Sequence, residues 1–207
     1  MIIGIDGYAG AGKDTVADVF VKVGFAKISF ADALREAVVH STGFPMNTFI
    51  DRETKDKLFL EPYILSTEIL TKFCLYLGYS GKISDVLNKF SGEEIKSPRH
   101  LLQLLGTEVG RNMLSQTIWL DKYDEKRQGL GLVVTPDCRF SNERNHIRKL
   151  KGLVWLIQRK GTKPKGKHIS ELDKWPKSRY DVVVQNVGLI QLISDVGMWW
   201  SLKGSNL

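Results

Sequence analysis

Residues 7–15 read GYAGAGKDT, and they directly follow the short apolar run IIGID at residues 2–6. Gly7, Gly12 and Lys13 match the pattern G-x-x-x-x-G-K, in which glycines let backbone N–H groups turn inward around phosphate oxygens. Apolar residues at helical spacing after the lysine predict a helix, whose N-terminus favours anions. This order of strand, turn and helix predicts a phosphate-binding loop.

The loop assigns roles to individual residues. Lys13 supplies a point charge to the β- and γ-phosphates of a nucleoside triphosphate, and Thr15 is placed to hydrogen-bond the α-phosphate. The residues of the loop predicted to bind ATP are Gly10, Ala11, Gly12, Lys13, Asp14 and Thr15. The alternative is a glycine-rich turn with an exposed lysine, but it does not explain three glycines within residues 7–12.

One position departs from the usual pattern. Asp14 stands where Ser or Thr normally contacts Mg²⁺, and the hydroxyl comes one residue later, at Thr15. Asp14 either contacts the metal through water or is a polar first-turn residue favoured by the helix dipole. Nucleoside monophosphate kinases of the adenylate kinase type have the same order, so the departure favours a small-molecule kinase over a GTPase.

The rest of the chain alternates strands and helices, which predicts an α/β fold with a parallel sheet flanked by helices. Strands are predicted at 2–6, 25–30, 129–134, 152–158 and 180–186. We expect a single kinase domain whose core comprises residues 1–40 and 98–207. Residues 41–97 have mixed helical signals and predict a helical insertion.

Composition limits the classes of function. The chain has 207 residues, 43% of them hydrophobic, and a net charge of +7. An apolar run of about 18 residues, as a membrane span needs, is not found, and neither is a signal peptide, so we expect a cytoplasmic protein without a membrane partner. Cys74 and Cys138 form neither a disulfide framework nor a metal-ligand spacing. The charge fits nucleic acid or anionic small substrates.

A second group of polar residues follows the predicted strand at 129–134. The stretch VVTPDCRF at 133–140 places Asp137 and Arg139 at the carboxyl edge of the sheet, where ligands of parallel sheets bind. Asp137 is predicted to hold Mg²⁺ through water, and Arg139 to reach the transferred phosphoryl group. The alternative is a solvated Asp–Arg pair. Cys138 is predicted to be a small buried residue, not a nucleophile.

A helix is predicted over residues 97–114, with Ser97 as N-cap and Pro98 at the first helical position. The residues on one stripe of this helix are Arg99, Gln103, Gly106 and Gly110. Such a stripe offers a charge for a phosphate and room for a flat base. Close helix packing at the glycines, with arginines in solvent, explains the stripe equally well.

These motifs resemble the bacteriophage deoxynucleoside monophosphate kinases over nearly the whole chain. The shared stretches are GYAGAGKDTVAD from residue 7, FADALRE at 30–36, DRETK at 51–55, SPRHLLQLLGTEVGRNM with Trp119, VVTPDCRFSNE at 133–143, KHISEL at 167–172 and DVVVQN at 181–186. The resemblance implies an adenylate-kinase-like fold and transfer of the ATP γ-phosphate, with Mg²⁺, to a deoxynucleoside monophosphate.

The resemblance also implies roles for residues that their pattern alone does not explain. Those implied to contact the acceptor are Phe30, Arg35, Asp51, Arg52, Arg99, Gln103, Arg111 and Arg139. Arg159 would contact ATP phosphates, and His168 and Glu171 would lie in a flexible segment behind it. The basic run RKGTKPKGK at 159–167 begins the predicted lid, residues 159–172. A solvated loop or a nucleic-acid patch is the alternative for that run.

Two other functions stay open from the sequence. One is a kinase for another small acceptor, such as dephospho-coenzyme A or a sugar acid. The other is an ATP-dependent nucleic-acid-binding protein that uses the positive charge, although no nucleic-acid fold signature is found. For the kinase, the expected partners are ATP and a deoxynucleoside monophosphate, without a specific nucleic acid, in a possible homodimer located in the host cytoplasm if a phage encodes it.

Overall fold

The computed structural model describes residues 1–163 and 172–203, and the chain divides into two compact units. The sheet unit comprises Met1–Phe30 and Tyr123–Leu207, and the helical unit comprises Ala31–Lys122. Each unit has its own buried apolar core.

The strands of the described residues belong to both units. They are β1 Ile2–Asp6, β2 Ala26–Lys27, β3 Tyr63–Ile64, β4 Glu94–Ile95, β5 Val133–Thr135, β6 Leu153–Arg159 and β7 Val182–Asn186. Five of these strands form a parallel sheet in the order β2-β5-β1-β6-β7. The predicted α/β class with a five-stranded parallel sheet is therefore confirmed.

The central strand β1 is buried along its whole length, as expected for a parallel strand covered on both faces. Gly4 pairs with Thr135 of β5, and Asp6 pairs with Leu156 of β6. The carboxyl ends of β1, β5 and β6 thus meet at one edge of the sheet. This is the edge at which ligands of such sheets bind.

Three strands are shorter than predicted, and one of them, β7, begins at Val182 in place of residue 180. β2, at one edge of the sheet, pairs with β5 only at Ala26 and Lys27. β5 begins at Val133, because the glycine-rich residues before it form a turn in which Gly129 has a φ of 82°.

The helices complete both units. They are α1 Lys13–Lys22, α2 Asp32–Thr42, α3 Asn47–Ile50, α4 Arg52–Lys55, α5 Thr67–Tyr76, α6 Ile83–Phe90, α7 Pro98–Gln103, α8 Ile118–Arg127, α9 Ser141–Lys149 and α10 Leu189–Lys203. Within the sheet unit, the aromatic ring of Phe20 from α1 lies 5.3 Å from that of Trp155 on β6. The Trp199 ring of α10 lies 4.7 Å from Trp155. These contacts fix α1, and with it the start of the helix at Lys13, against the sheet.

The helical unit contains the predicted insertion at 41–97 together with α2 and α7. Its core includes Phe49, Leu70, Phe73 and Leu101, all fully buried. The prediction gave no strong strand here, and the structure adds a short antiparallel hairpin of β3 and β4. Two residues per strand are too few for a periodic signal in the sequence.

The helix predicted over 97–114 forms in two parts. Ser97 caps α7, since its hydroxyl accepts the His100 N–H at 3.1 Å, and Pro98 is the first helical residue, as predicted. Residues Leu104–Leu114 continue as a wider π-type helix, which ends where the Ser115 N–H donates to the Gly110 carbonyl at 2.9 Å. Within residues 1–163 and 172–203, no helix combines the length and apolar character that a membrane crossing needs.

Candidate active site

The loop between β1 and α1 has a backbone that only glycine adopts readily. Gly7 and Gly12 have φ angles of 145° and 104°, in the left-handed region. A Cβ on Gly7 would lie 2.4 Å from the Ile157 carbonyl oxygen of β6. The spacing of the glycines is therefore a steric requirement of the fold, and the loop conformation turns the chain at the sheet edge.

Strand β7 supports the other end of this loop. Asn186 is the last residue of β7, and its side-chain amide donates to the Ala11 carbonyl at 2.7 Å. A Cβ on Gly12 would lie 2.5 Å from the same amide nitrogen. Sequence reasoning did not identify Asn186 as a site residue, although it ends the stretch DVVVQN that was used for the resemblance. Its position after an apolar strand was the available signal.

Lys13 folds back over the loop. Its ammonium donates to the carbonyls of Gly7 and Tyr8, at 2.7 and 2.9 Å. Burial is the main cause that lowers the pKa of Lys13 from its ordinary value of 10.5 to about 8, and the positive charges of Arg139 and Lys174 contribute to the same shift. A partly buried ammonium that is repelled by two other cations is well suited to a polyanion such as a triphosphate.

The two residues after Lys13 differ in surroundings. Asp14 has a side chain that is 81% exposed, and its carboxylate lies 3.4 Å from the ammonium of Lys27. Thr15 lies in the first turn of α1. Both predicted roles of Asp14, contact with a metal through water and a favourable first-turn charge, stay predictions.

The loop after β5 lies beside the phosphate loop, as its place in the sheet predicts, since β5 pairs directly with β1. The Asp137 carboxylate is buried and accepts the Phe30 N–H at 2.9 Å. The backbone N–H of Arg139 donates to the Glu143 carboxylate at 2.7 Å, which fixes the loop to the start of α9. The charge of Arg139 contributes to the lowered pKa of Lys13, so the two cations are near enough to repel each other.

Cys138, between Asp137 and Arg139, is fully buried. Burial raises the pKa of its thiol well above the ordinary value. A Cβ on Gly4 would lie 2.7 Å from its sulfur, so the thiol occupies the space that this glycine leaves. The prediction of a small buried residue is confirmed.

Arg159 is the last residue of β6 and is exposed at the carboxyl edge of the sheet. Its carbonyl accepts the Thr162 hydroxyl, which begins a turn. His168, Glu171 and most of the predicted lid lie outside the described residues. Phe30 is 3% exposed, and its ring lies 4.3 Å from that of Tyr123.

The remaining predicted acceptor residues belong to the helical unit. The Nε of Arg99 on α7 pairs with the Asp56 carboxylate, and Arg35 on α2 pairs with Asp32 at 2.8 Å. Asp51 caps α4, because its carboxylate accepts the Glu53 N–H at 2.9 Å. The other three are Arg52 in α4, Gln103 at the end of α7 and Arg111 in the π-type helix.

Other side chains fill the space beside the two glycines of the predicted stripe. A Cβ on Gly106 would lie 2.6 Å from a Leu34 methyl group, and one on Gly110 would lie 2.6 Å from the Trp119 ring. The Trp119 indole also donates to the Gly106 carbonyl at 2.8 Å. The structure thus favours close packing at the glycines over room for a base.

A buried carboxylate under the phosphate loop was missed entirely. Asp6 ends β1 and is fully buried, where it accepts hydrogen bonds from several groups. Its donors are the Gly7 N–H at 2.6 Å, the Tyr180 hydroxyl at 2.5 Å, the Arg144 guanidinium at 2.7 Å and the Lys174 ammonium at 2.7 Å. The signal in the sequence was a carboxylate at the end of an otherwise apolar strand.

Comparisons with known proteins identify the family of the chain. The family model described as deoxynucleotide monophosphate kinase matches residues 53–196, well over half of the chain. A candidate deoxynucleotide monophosphate kinase of Acanthamoeba polyphaga mimivirus is 25% identical over 201 residues, which cover 90% of this chain and 88% of the viral protein.

Proposed function

The chain belongs to the deoxynucleotide monophosphate kinase family, and on that premise we propose that it transfers the γ-phosphate of ATP to a deoxynucleoside 5′-monophosphate. The observation that supports ATP as the donor is the phosphate loop with the partly buried Lys13, whose ammonium is bound to the loop carbonyls. The resemblance to bacteriophage enzymes supports nucleotide supply for phage DNA synthesis, in the host cytoplasm, as the setting.

The donor half of the proposal rests on the sheet unit. The loop N–H groups and the N-terminus of α1 bind the phosphates, and Lys13 and Arg139 supply positive charge to the transferred group. Arg159, at the same sheet edge, adds a charge for the ATP phosphates.

Magnesium fits the carboxylate at this edge. Mg²⁺ in kinases uses one or two carboxylates together with substrate phosphates and waters. Asp137, buried at the end of β5, is the residue that would hold it through water, with Asp14 as the second candidate. The ion would neutralise charge on the phosphate oxygens when bound.

The acceptor half rests on the helical unit. Arg99 and Arg111 are proposed to bind the acceptor phosphate, because a guanidinium matches phosphate geometry with two parallel hydrogen bonds. Arg99 is already oriented by its ion pair with Asp56. Phe30, Arg35, Asp51, Arg52 and Gln103 are proposed as further acceptor contacts, which the resemblance supports.

The chemistry needs position and charge more than proton transfer. An acceptor phosphate oxygen attacks the γ-phosphorus, a new P–O bond forms, and the bond to the β-phosphate oxygen breaks to release ADP. Phosphate monoesters have a second pKa of about 6, so the nucleophile is already ionised at neutral pH and requires no base. Charge on the equatorial oxygens of the loose transition state is met by Lys13 and Arg139.

The test is ADP release from ATP and Mg²⁺ with dTMP, dGMP, dCMP, dAMP, GMP, dephospho-coenzyme A or DNA, each against a reaction without acceptor. We expect release with at least one deoxynucleotide, and its loss in Arg99→Ala. Lys72→Ala is the matched control in the helical unit, because its exposed pair with Glu68 is worth little. Release only with dephospho-coenzyme A or only with DNA, or release that ignores all acceptors, would overturn the proposal.

A further inference from the structure

Lys174 lies at the phosphate loop but has no role in the site described so far. Its side chain is 19% exposed, and its ammonium lies 2.7 Å from the Asp6 carboxylate, directly under the loop. The same ammonium lies 5.6 Å from the centre of the Tyr8 ring, within the loop itself. Lys174 is therefore held beside the loop by the Asp6 carboxylate, at the end of β1, and lies near the Tyr8 ring.

The hydrogen bonds of this ammonium leave capacity for a ligand. A lysine ammonium carries three donors. Within residues 1–163 and 172–203, the one hydrogen bond that it makes goes to Asp6. Among the described residues, two N–H groups of this ammonium therefore have no acceptor and are available for phosphate oxygens.

The carboxylate that holds Lys174 is itself firmly fixed. Asp6 also accepts the Arg144 guanidinium, which is fully buried and makes a second ion pair with Asp173 at 2.7 Å. The Tyr180 hydroxyl completes the set. Because Asp6 is held by these groups independently of Lys174, it can seat the lysine at one place beside the loop.

The positive charge of Lys174 affects Lys13, as the charge of Arg139 does. Together with Arg139 it lowers the pKa of Lys13, against the smaller opposing effects of Asp14 and Asp6. Lys174 and Lys13 therefore share one electrostatic environment. Three cations that converge on a glycine-rich loop repel one another until an anion with several charges binds among them.

We propose that Lys174 is a second phosphate-binding lysine of the donor site, seated beside the phosphate loop by Asp6 and contacting the triphosphate of ATP. The proposal rests on the proposed function only for its donor half. Lys174, which lies just after the end of the predicted lid, would then contact ATP itself.

The test is the Kd for ATP of the full chain, measured by calorimetry without acceptor, in wild type, Lys174→Met, Lys174→Arg and Lys177→Met. We expect Lys174→Met to raise the Kd roughly tenfold to a hundredfold, the usual effect of one charged hydrogen bond. Lys174→Arg keeps the charge and should restore most of the affinity. Lys177 is exposed three residues on and should change it by no more than about twofold.

A pH series separates phosphate binding from a purely structural ion pair. Loss of the neighbouring charge in Lys174→Met raises the pKa of Lys13, so the alkaline loss of ATP affinity should move to higher pH. Wild-type affinity in Lys174→Met, or a Lys174→Arg variant as weak as Lys174→Met at an equal melting temperature, would overturn the proposal.

The proposal and the proposed function fail in different ways. Tight ATP binding without release that depends on a deoxynucleotide would refute the proposed acceptor and leave Lys174 in place. A wild-type chain that does not bind ATP would refute the donor half and this inference together.

Discussion

The phosphate loop of the sheet unit and the arginine-bearing helices of the helical unit are fixed in different ways. Backbone atoms define the loop: Gly7 and Gly12 have positive φ, and the amide of Asn186 holds the Ala11 carbonyl. Long side chains define the other region, where Arg99 is oriented by Asp56. The loop conformation requires glycines at a fixed spacing in the sequence, which a motif reveals. The orientation of Arg99 depends on Asp56, which lies far from it in the chain and belongs to no local pattern.

This contrast predicts two kinds of failure. Replacement of the Lys13 side chain should remove function and leave the fold intact, because its charge and its phosphate contacts are lost and little packing changes. A substitution at the glycines of the helical unit should act first on stability, because the space beside them is filled by Leu34 and Trp119.

The largest expected effect is that of Lys13→Met. The loss of one preorganised charge at the transferred group typically lowers kcat by about 10²–10³-fold, or roughly 3–4 kcal/mol. Lys22→Met, in the last turn of the same helix, is the matched control and should retain wild-type activity. Steady-state kinetics with saturating ATP measures the effect. A Lys13→Met variant with wild-type kcat would refute the assignment of the loop as the catalytic donor site.

A smaller effect is expected for Gly106→Ala in the π-type helix. The new Cβ would lie 2.6 Å from a Leu34 methyl group, and such overpacking typically costs about 1–3 kcal/mol of unfolding free energy. Gly81→Ala is the control, since a Cβ there meets open space. Urea unfolding measures both. If Gly106→Ala is as stable as wild type but has a raised KM for the acceptor, the glycines face the base, and packing is the wrong explanation.

The same contrast explains which features of the fold and the site could be predicted from the sequence. The loop, the parallel sheet and the neighbouring place of Asp137 were predictable, because glycine spacing, apolar runs and strand order are local or follow general rules. Asp6 and Arg144 were not, because they are 138 positions apart and pair only once the sheet and α9 are formed. The packing of Gly106 also depends on Leu34, a residue of another helix.

The smallest expected effect is the dependence of ATP binding on pH, and it tests the electrostatics of the loop without a mutation. The pKa of Lys13 is about 8 in the folded chain, against an ordinary value of 10.5. The unfolded chain binds more protons between these values, so this group makes stability rise as pH increases from about 8 to 10.5.

ATP binding should follow the opposite course, because the triphosphate needs the ammonium that the empty site loses above pH 8. The Kd for ATP should rise roughly tenfold between pH 7 and pH 9, since at pH 9 about one tenth of Lys13 is protonated. Calorimetry at constant ionic strength measures it, and Lys13→Met, which has no ammonium to lose, should show a much flatter profile. A wild-type Kd that is constant over this range would mean that the bound phosphates do not depend on the charge of Lys13. The site would then be defined by its backbone alone.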